Sequence, residues 1–163
     1  MQATFFEKDV APGDYAVQTA RDLMRRRVIV VSPQTAAEKA IDLLVRNDVS
    51  GLPVVDGTGK IVGMFSEIDR IKRGSVEGRS VQQLMSKPVV TVKAQDSLVE
   101  VARVFKANFV RRLPVTDNGK MVGIIGLRDL IRYIRDNERV MDGIAPVVSD
   151  WEFFQSECWS NAD

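Results

Sequence analysis

Residues 23–71 recur at 84–131. At an offset of 61, which falls to 60 after a one-residue gap opposite Thr58, 17 of the 48 aligned pairs are identical. A duplication of this length commits the chain to two copies of one supersecondary unit. Neither copy, at about fifty residues, buries enough surface to stand alone, so the two are expected to pack face to face.

The pattern inside the repeat sets its elements. Leu23-Met24 and Leu84-Met85 each close a short helical approach. The β-branched runs Val28-Ile29-Val30-Val31 and Val89-Val90-Thr91-Val92 read as short buried strands, with core side chains. Thr35 and Asp96 stand where helix N-caps are expected. Behind them, Ala37, Ala40, Ile41, Leu44 and Val45 in one copy, and Leu98, Val101, Ala102 and Phe105 in the other, have the spacing of an amphipathic helix.

A hairpin follows in each copy. Residues 52–55 and 61–65 flank Asp56-Gly57-Thr58-Gly59, and residues 113–116 and 121–125 flank Asp117-Asn118-Gly119. Asn-Gly signals a tight turn because both residues tolerate positive φ. Each copy closes with a helix, short over 67–72, longer where Leu127, Leu130, Ile131 and Ile134 form a stripe. The order is β-α-β-β-α twice, an α+β fold. Residues 1–16 form an N-terminal segment, 17–76 the first repeat, 77–136 the second and 137–163 a tail, with a polar linker over 74–79.

Composition narrows the function. Hydrophobic residues make up 45% and charged residues 28%, as in an ordered globular protein. Twenty-three basic residues against 22 acidic ones give no basic excess, which argues against a nucleic-acid partner. No apolar run reaches the ~20 residues that span a bilayer, and residues 1–14 lack the pattern of a secretory signal. With a single cysteine, Cys158, and so no internal disulfide, these features point to the cytoplasm and to no membrane partner. No histidine is present, which excludes a Ser-His-Asp triad, a Cys-His pair and a histidine-held metal. Carboxylate catalysis lacks a paired acid and base, so the chain reads as no enzyme, and no metal site is expected.

The sharpest candidate site is Ser66-Glu67-Ile68-Asp69. A serine here is an N-cap, leaving backbone N–H groups and the positive end of a helix dipole near an anion. Asp69, one turn on, can accept hydrogen bonds from both hydroxyls of a ribose. S-x-x-D by itself more often describes an ordinary helix start, and it is the repeat context that favours the ligand reading. The second copy keeps Asp129 but has Gly126 where Ser66 stands, which caps without a hydroxyl and permits close approach of a ligand. Arg111-Arg112 precedes Leu113-Pro114-Val115, whereas the first copy has the uncharged Ser50-Gly51. An Arg fork suits phosphate, though a solvated surface pair is an equal reading. Arg25-Arg26-Arg27 reads as a solvated flank, and Lys60 and Lys120 as turn residues.

The duplicated unit with L-P-V-V-D, then G-K-h-V-G, then S-x-x-D resembles the CBS domain, whose tandem pair is called a Bateman module. The resemblance covers residues 17–135. It implies two repeats packed through their sheets about a pseudo-two-fold axis, with clefts that hold AMP, ADP, ATP or S-adenosylmethionine; an NAD-type ligand belongs to the same range. The family's G-h-h-[S/T]-x-x-D motif uses its aspartate on the ribose, and residues 63–69 match it fully. By the same resemblance, Arg111 and Arg112 before Pro114 meet phosphates, and the backbone around Ile29-Val30 and Val90 meets an adenine edge. The expected role is a non-catalytic nucleotide sensor that needs no cofactor, forms a homodimer and regulates an unidentified protein. The alternative is a structural interaction or dimerisation module without a ligand. Trp151, Phe153, Phe154 and Trp159, with Phe5 and Phe6, are expected to pack within the chain or across a dimer.

Overall fold

The computed structural model describes residues 19–137, so the terminal aromatics and Cys158 lie outside the described residues. Two compact units emerge. One contains residues 27–89 together with 116–122; the other contains 19–26, 90–115 and 123–137.

In the first unit, helix α2 (Ala37–Arg46) leads to strand β1 (Gly51–Val55), strand β2 (Ile61–Ser66) and helix α3 (Glu67–Arg73). β1 and β2 pair antiparallel, with the register slipping between Val54 and Val55. At the turn, the Asp56 carboxylate accepts hydrogen bonds from Thr58 N (2.9 Å), Thr58 Oγ1 (2.7 Å) and Lys60 N (3.1 Å). Those donors, the Thr58 hydroxyl foremost, hold the Asp56 carboxyl below the usual carboxylate range.

The second repeat supplies strand β3 (Val92–Lys93), helix α5 (Leu98–Asn108), strand β4 (Arg112–Asp117), strand β5 (Lys120–Gly126) and helix α6 (Leu127–Asp136), all in the second unit but for the hairpin tip 116–122. Its sheet has the order β3-β4-β5. Asn118 and Gly119 take φ of 48° and 77°, the left-handed pair that the Asn-Gly turn predicts. Leu98, Val101, Ala102 and Phe105 all face inward from α5, and Leu127, Leu130 and Ile134 do so from α6.

Two short helices change sides. Helix α1 (Ala20–Leu23) precedes the first repeat's apolar run but belongs to the second unit, where Ala20 N bonds Asp96 O at 2.8 Å. Just beyond it, the amide and carbonyl of Arg25 exchange bonds with Ile124 of β5 at 2.9 and 3.0 Å. Helix α4 (Val81–Leu84) does the same in the first unit: Val81 N bonds Thr35 O at 2.8 Å, and Ser86 exchanges bonds with Met64 of β2. Val81, Leu84 and Met85 accordingly join Leu44, Leu52, Val54 and Phe65 in the first unit's core. Each unit is thus closed by the helix that leads into the other copy.

Three local expectations need correction. The run 28–31 is not a strand: only Val31 bridges to Val54, and Ile29 and Val30 are 37% and 45% exposed rather than core. Likewise, of 89–92 only Val92 enters a strand, β3. The N-caps fall one residue later than expected, at Ala36 and Ser97. Thr35 Oγ1 instead accepts from Ser32 N, and Asp96 accepts from Lys93 N, so both side chains brace the turn ahead of the cap. Val45, finally, is exposed on α2.

Candidate functional site

The first unit's candidate lies where β2 runs into α3. Ser66 is the N-cap in extended backbone (φ −134°, ψ 168°), with a reciprocal capping box to Asp69. Ser66 N and Oγ both donate to Asp69 Oδ2, at 2.9 and 2.7 Å, and Asp69 N donates back to Ser66 Oγ at 3.4 Å. The remaining oxygen, Oδ1, accepts from the hydroxyl of Ser86 at 2.5 Å. Asp69 is only 5% exposed, the one buried charged residue among those described. A carboxylate presents about four lone-pair positions, so three bonds leave it with spare acceptor capacity. The amides of Ser66, Glu67 and Asp69 are all used within the chain, Glu67 N by Ser50 O at 3.2 Å. The expected set of open N–H groups at this helix start is correspondingly reduced.

The second unit builds the same corner differently. Gly126 caps α6 through its backbone alone, and its amide donates to Asp129 Oδ2 at 3.3 Å. A Cβ on Gly126 would lie 3.0 Å from that oxygen, so the missing side chain leaves the carboxylate room. The guanidinium of Arg25 then grips Asp129 as a fork, Nη2 to Oδ1 at 2.6 Å and Nε to Oδ2 at 3.1 Å. Arg25 is therefore not the solvated flank that its sequence context suggests. By the repeat offset Arg25 is the counterpart of Ser86, so equivalent positions place a hydroxyl on one aspartate and a cation on the other.

The remaining candidates are only partly gathered. The Arg111 carbonyl accepts from Leu127 N at 2.9 Å, which sets this exposed residue beside the start of α6 and hence near Asp129. Arg112 is half-buried at the start of β4, and Pro114 is buried in the same strand. Val90 is half-buried just ahead of β3. Among the described residues, the backbone groups of Ile29 and Val30 enter no hydrogen bond. Exposed branched side chains next to unused amide and carbonyl groups suit the face and edge of a flat heterocycle. Arg25 and Ser86 are the two site residues that sequence reasoning missed. Their signal lies in the repeat alignment, which places each directly after a matched Leu-Met pair.

Among the described residues no helix is long and apolar enough to cross a membrane.

The family model of the CBS domain matches the chain twice, at residues 20–74 and 81–136. The CBS domain-containing protein YhcV of Bacillus subtilis is 30% identical over 126 residues, covering 75% of this chain and 89% of its own. An inosine-5'-monophosphate dehydrogenase of Methanocaldococcus jannaschii is 36% identical over 118 residues; the match covers 72% of this chain but only 24% of the enzyme. The crystal structure of CBSX2 in complex with AMP superposes with a TM-score of 0.67 at 30% identity, over 75% of this chain and 99% of that one.

Proposed function

The chain belongs to the CBS-domain family, and we propose that it is a non-catalytic regulatory CBS pair that binds an adenine nucleotide at the corners built on Asp69 and Asp129. The observation that carries this reading is the Asp69 corner. A nearly buried carboxylate is fixed at a helix start with acceptor capacity left over, in the unit that also presents Ile29 and Val30. A ribose diol supplies the donors such an oxygen lacks, and the exposed apolar pair with its unused backbone groups supplies an adenine surface. That a relative of 30% identity was crystallised with AMP supports the same ligand class.

AMP, ADP and ATP share the ribose and adenine and differ in phosphate charge. On this reading Arg111 and Arg112 in the second unit take the phosphates. S-adenosylmethionine and NAD-type ligands carry the same adenosine and are the competitors to include. A regulated protein would respond to whichever conformation the nucleotide favours. Isothermal titration with AMP, ADP and ATP is expected to give saturable binding with a dissociation constant below 1 mM. An absence of heat and of any melting-temperature shift for all three at several millimolar would rule the reading out.

The proposed homodimer has its own support. Ile68 and Ile71 lie one turn apart on α3 and are 54% and 75% exposed, and Val45 on α2, which packs beside α3, is 76% exposed. Exposed apolar side chains on two contacting helices are what an association surface would use. Ile71→Glu is expected to convert a dimer to a monomer in light scattering. An unchanged mass, or a wild-type chain already monomeric at 100 μM or so, would remove this surface from consideration.

A further inference from the structure

We infer that Arg25 is a specificity-determining residue of the second unit: by occupying Asp129 it makes the Asp69 corner the first to fill with nucleotide. This rests on the reading that both aspartates receive ribose, and adds an order to it. The two carboxylates sit at equivalent positions of the repeat and are met from equivalent positions, 25 and 86. What meets them differs. Ser86 offers one neutral hydroxyl, which rotates freely about its Cβ–Oγ bond and can turn to accept from an incoming ribose hydroxyl. Its removal from Oδ1 is an exchange of one neutral donor for another.

Arg25 offers two donors in a rigid plane and a full charge, and both oxygens of Asp129 are engaged, at 2.6 and 3.1 Å. A neutral diol that displaces this fork must replace two charge-assisted bonds with two weaker ones. It also leaves the guanidinium without its partner. Solvent moderates the penalty, since the Arg25 side chain is 60% exposed, although that of Asp129 is only 16% exposed. The position of Arg25 is itself fixed, because its amide and carbonyl are both bonded to Ile124 of β5. Substituting its side chain leaves that backbone bridge in place.

The test is an AMP titration of the full chain followed by amide NMR shifts. Ser66 and Glu67 report the Asp69 corner, and Gly126 and Leu127 the Asp129 corner. In the wild type, the first pair is expected to reach half-shift at an AMP concentration about tenfold lower than the second. Arg25→Ser, which copies the residue of the other unit, is expected to bring the two midpoints within about threefold by moving only the second. Arg25→Lys, a single-point donor, falls between, and Arg26→Ser removes the same charge one residue on and leaves the gap. Equal midpoints in the wild type, a second corner that fills first, or a gap unchanged in Arg25→Ser would each overturn the inference. Failure of both pairs to shift at several millimolar AMP would instead sink the nucleotide reading beneath it. If Arg25→Ser does not fold, the Arg25→Lys comparison carries the test alone: midpoints and gap identical to wild type refute it.

Discussion

Gly123→Ala is expected to lower the melting temperature by roughly 2–12 °C, the larger of two losses at matched glycines. A Cβ at Gly123 would stand 2.6 Å from Met24 Sδ, 2.8 Å from Met24 Cγ and 2.9 Å from the Arg25 carbonyl oxygen. The methionine can bend aside, but the carbonyl cannot, because it accepts from Ile124 N at 3.0 Å. Relief requires separating α1 and its following residues from β5, and overpacking of this kind costs about 1–3 kcal/mol. For a chain of this size each kcal/mol moves the midpoint by about 2–4 °C. At Gly63 the three nearest atoms all belong to the Met85 side chain, Cγ at 2.8 Å and Cβ at 3.2 Å among them. Gly63→Ala is therefore expected to cost less, and Met85→Ala should rescue it in a double-mutant cycle. Met24→Ala should not rescue Gly123→Ala. Equal losses at the two glycines, or rescue at both, would show that the backbone contact is irrelevant.

That contrast also shows what a sequence read one residue at a time leaves hidden. The amphipathic helices α5 and α6, the Asn118-Gly119 turn and the two hairpins each followed by a helix come from local periodicity and turn chemistry, and they appear where those rules place them. The capping box of Ser66 and Asp69 is equally local, three residues apart on one chain segment. The exchange of α1 and α4 is not local. Nothing in the sequence 20–25 says that it closes on β5 a hundred residues later, since its apolar residues would suit either unit. Arg25 was unreadable for the same reason: in a run of three arginines its neighbours share its chemistry, and only the fold selects one to meet Asp129. The apolar runs at 28–31 and 89–92 misled in another way. β-branched composition matches a buried strand but does not by itself dictate burial, and at Ile29 and Val30 the structure has exposure instead.

Asp69→Asn is the substitution expected to separate recognition from folding. Alanine at this position would leave Ser66 N without its acceptor in a place only 5% exposed, a loss of about 1–3 kcal/mol that confuses any binding result. Asparagine keeps the shape. Its carbonyl oxygen can take the place of Oδ2 and accept from Ser66 N and Oγ, and its amide can take the place of Oδ1 and donate to Ser86 Oγ, whose hydroxyl turns to accept. The capping box survives, so the melting temperature should stay within a few degrees of wild type. What is lost is a charged acceptor for the ribose. The amide nitrogen now points a donor where a hydroxyl donated, and the charge that strengthened the bond is gone. Hydrogen bonds to a charged group contribute about 1.5–3 kcal/mol, so AMP affinity at this corner should fall roughly 10- to 100-fold. Calorimetry on Asp69→Asn beside Asp129→Asn measures it. Because Arg25 already engages Asp129, the second substitution should cost less nucleotide affinity in the wild-type background. A stable Asp69→Asn chain that binds AMP as tightly as wild type would mean that this carboxylate serves only the start of α3.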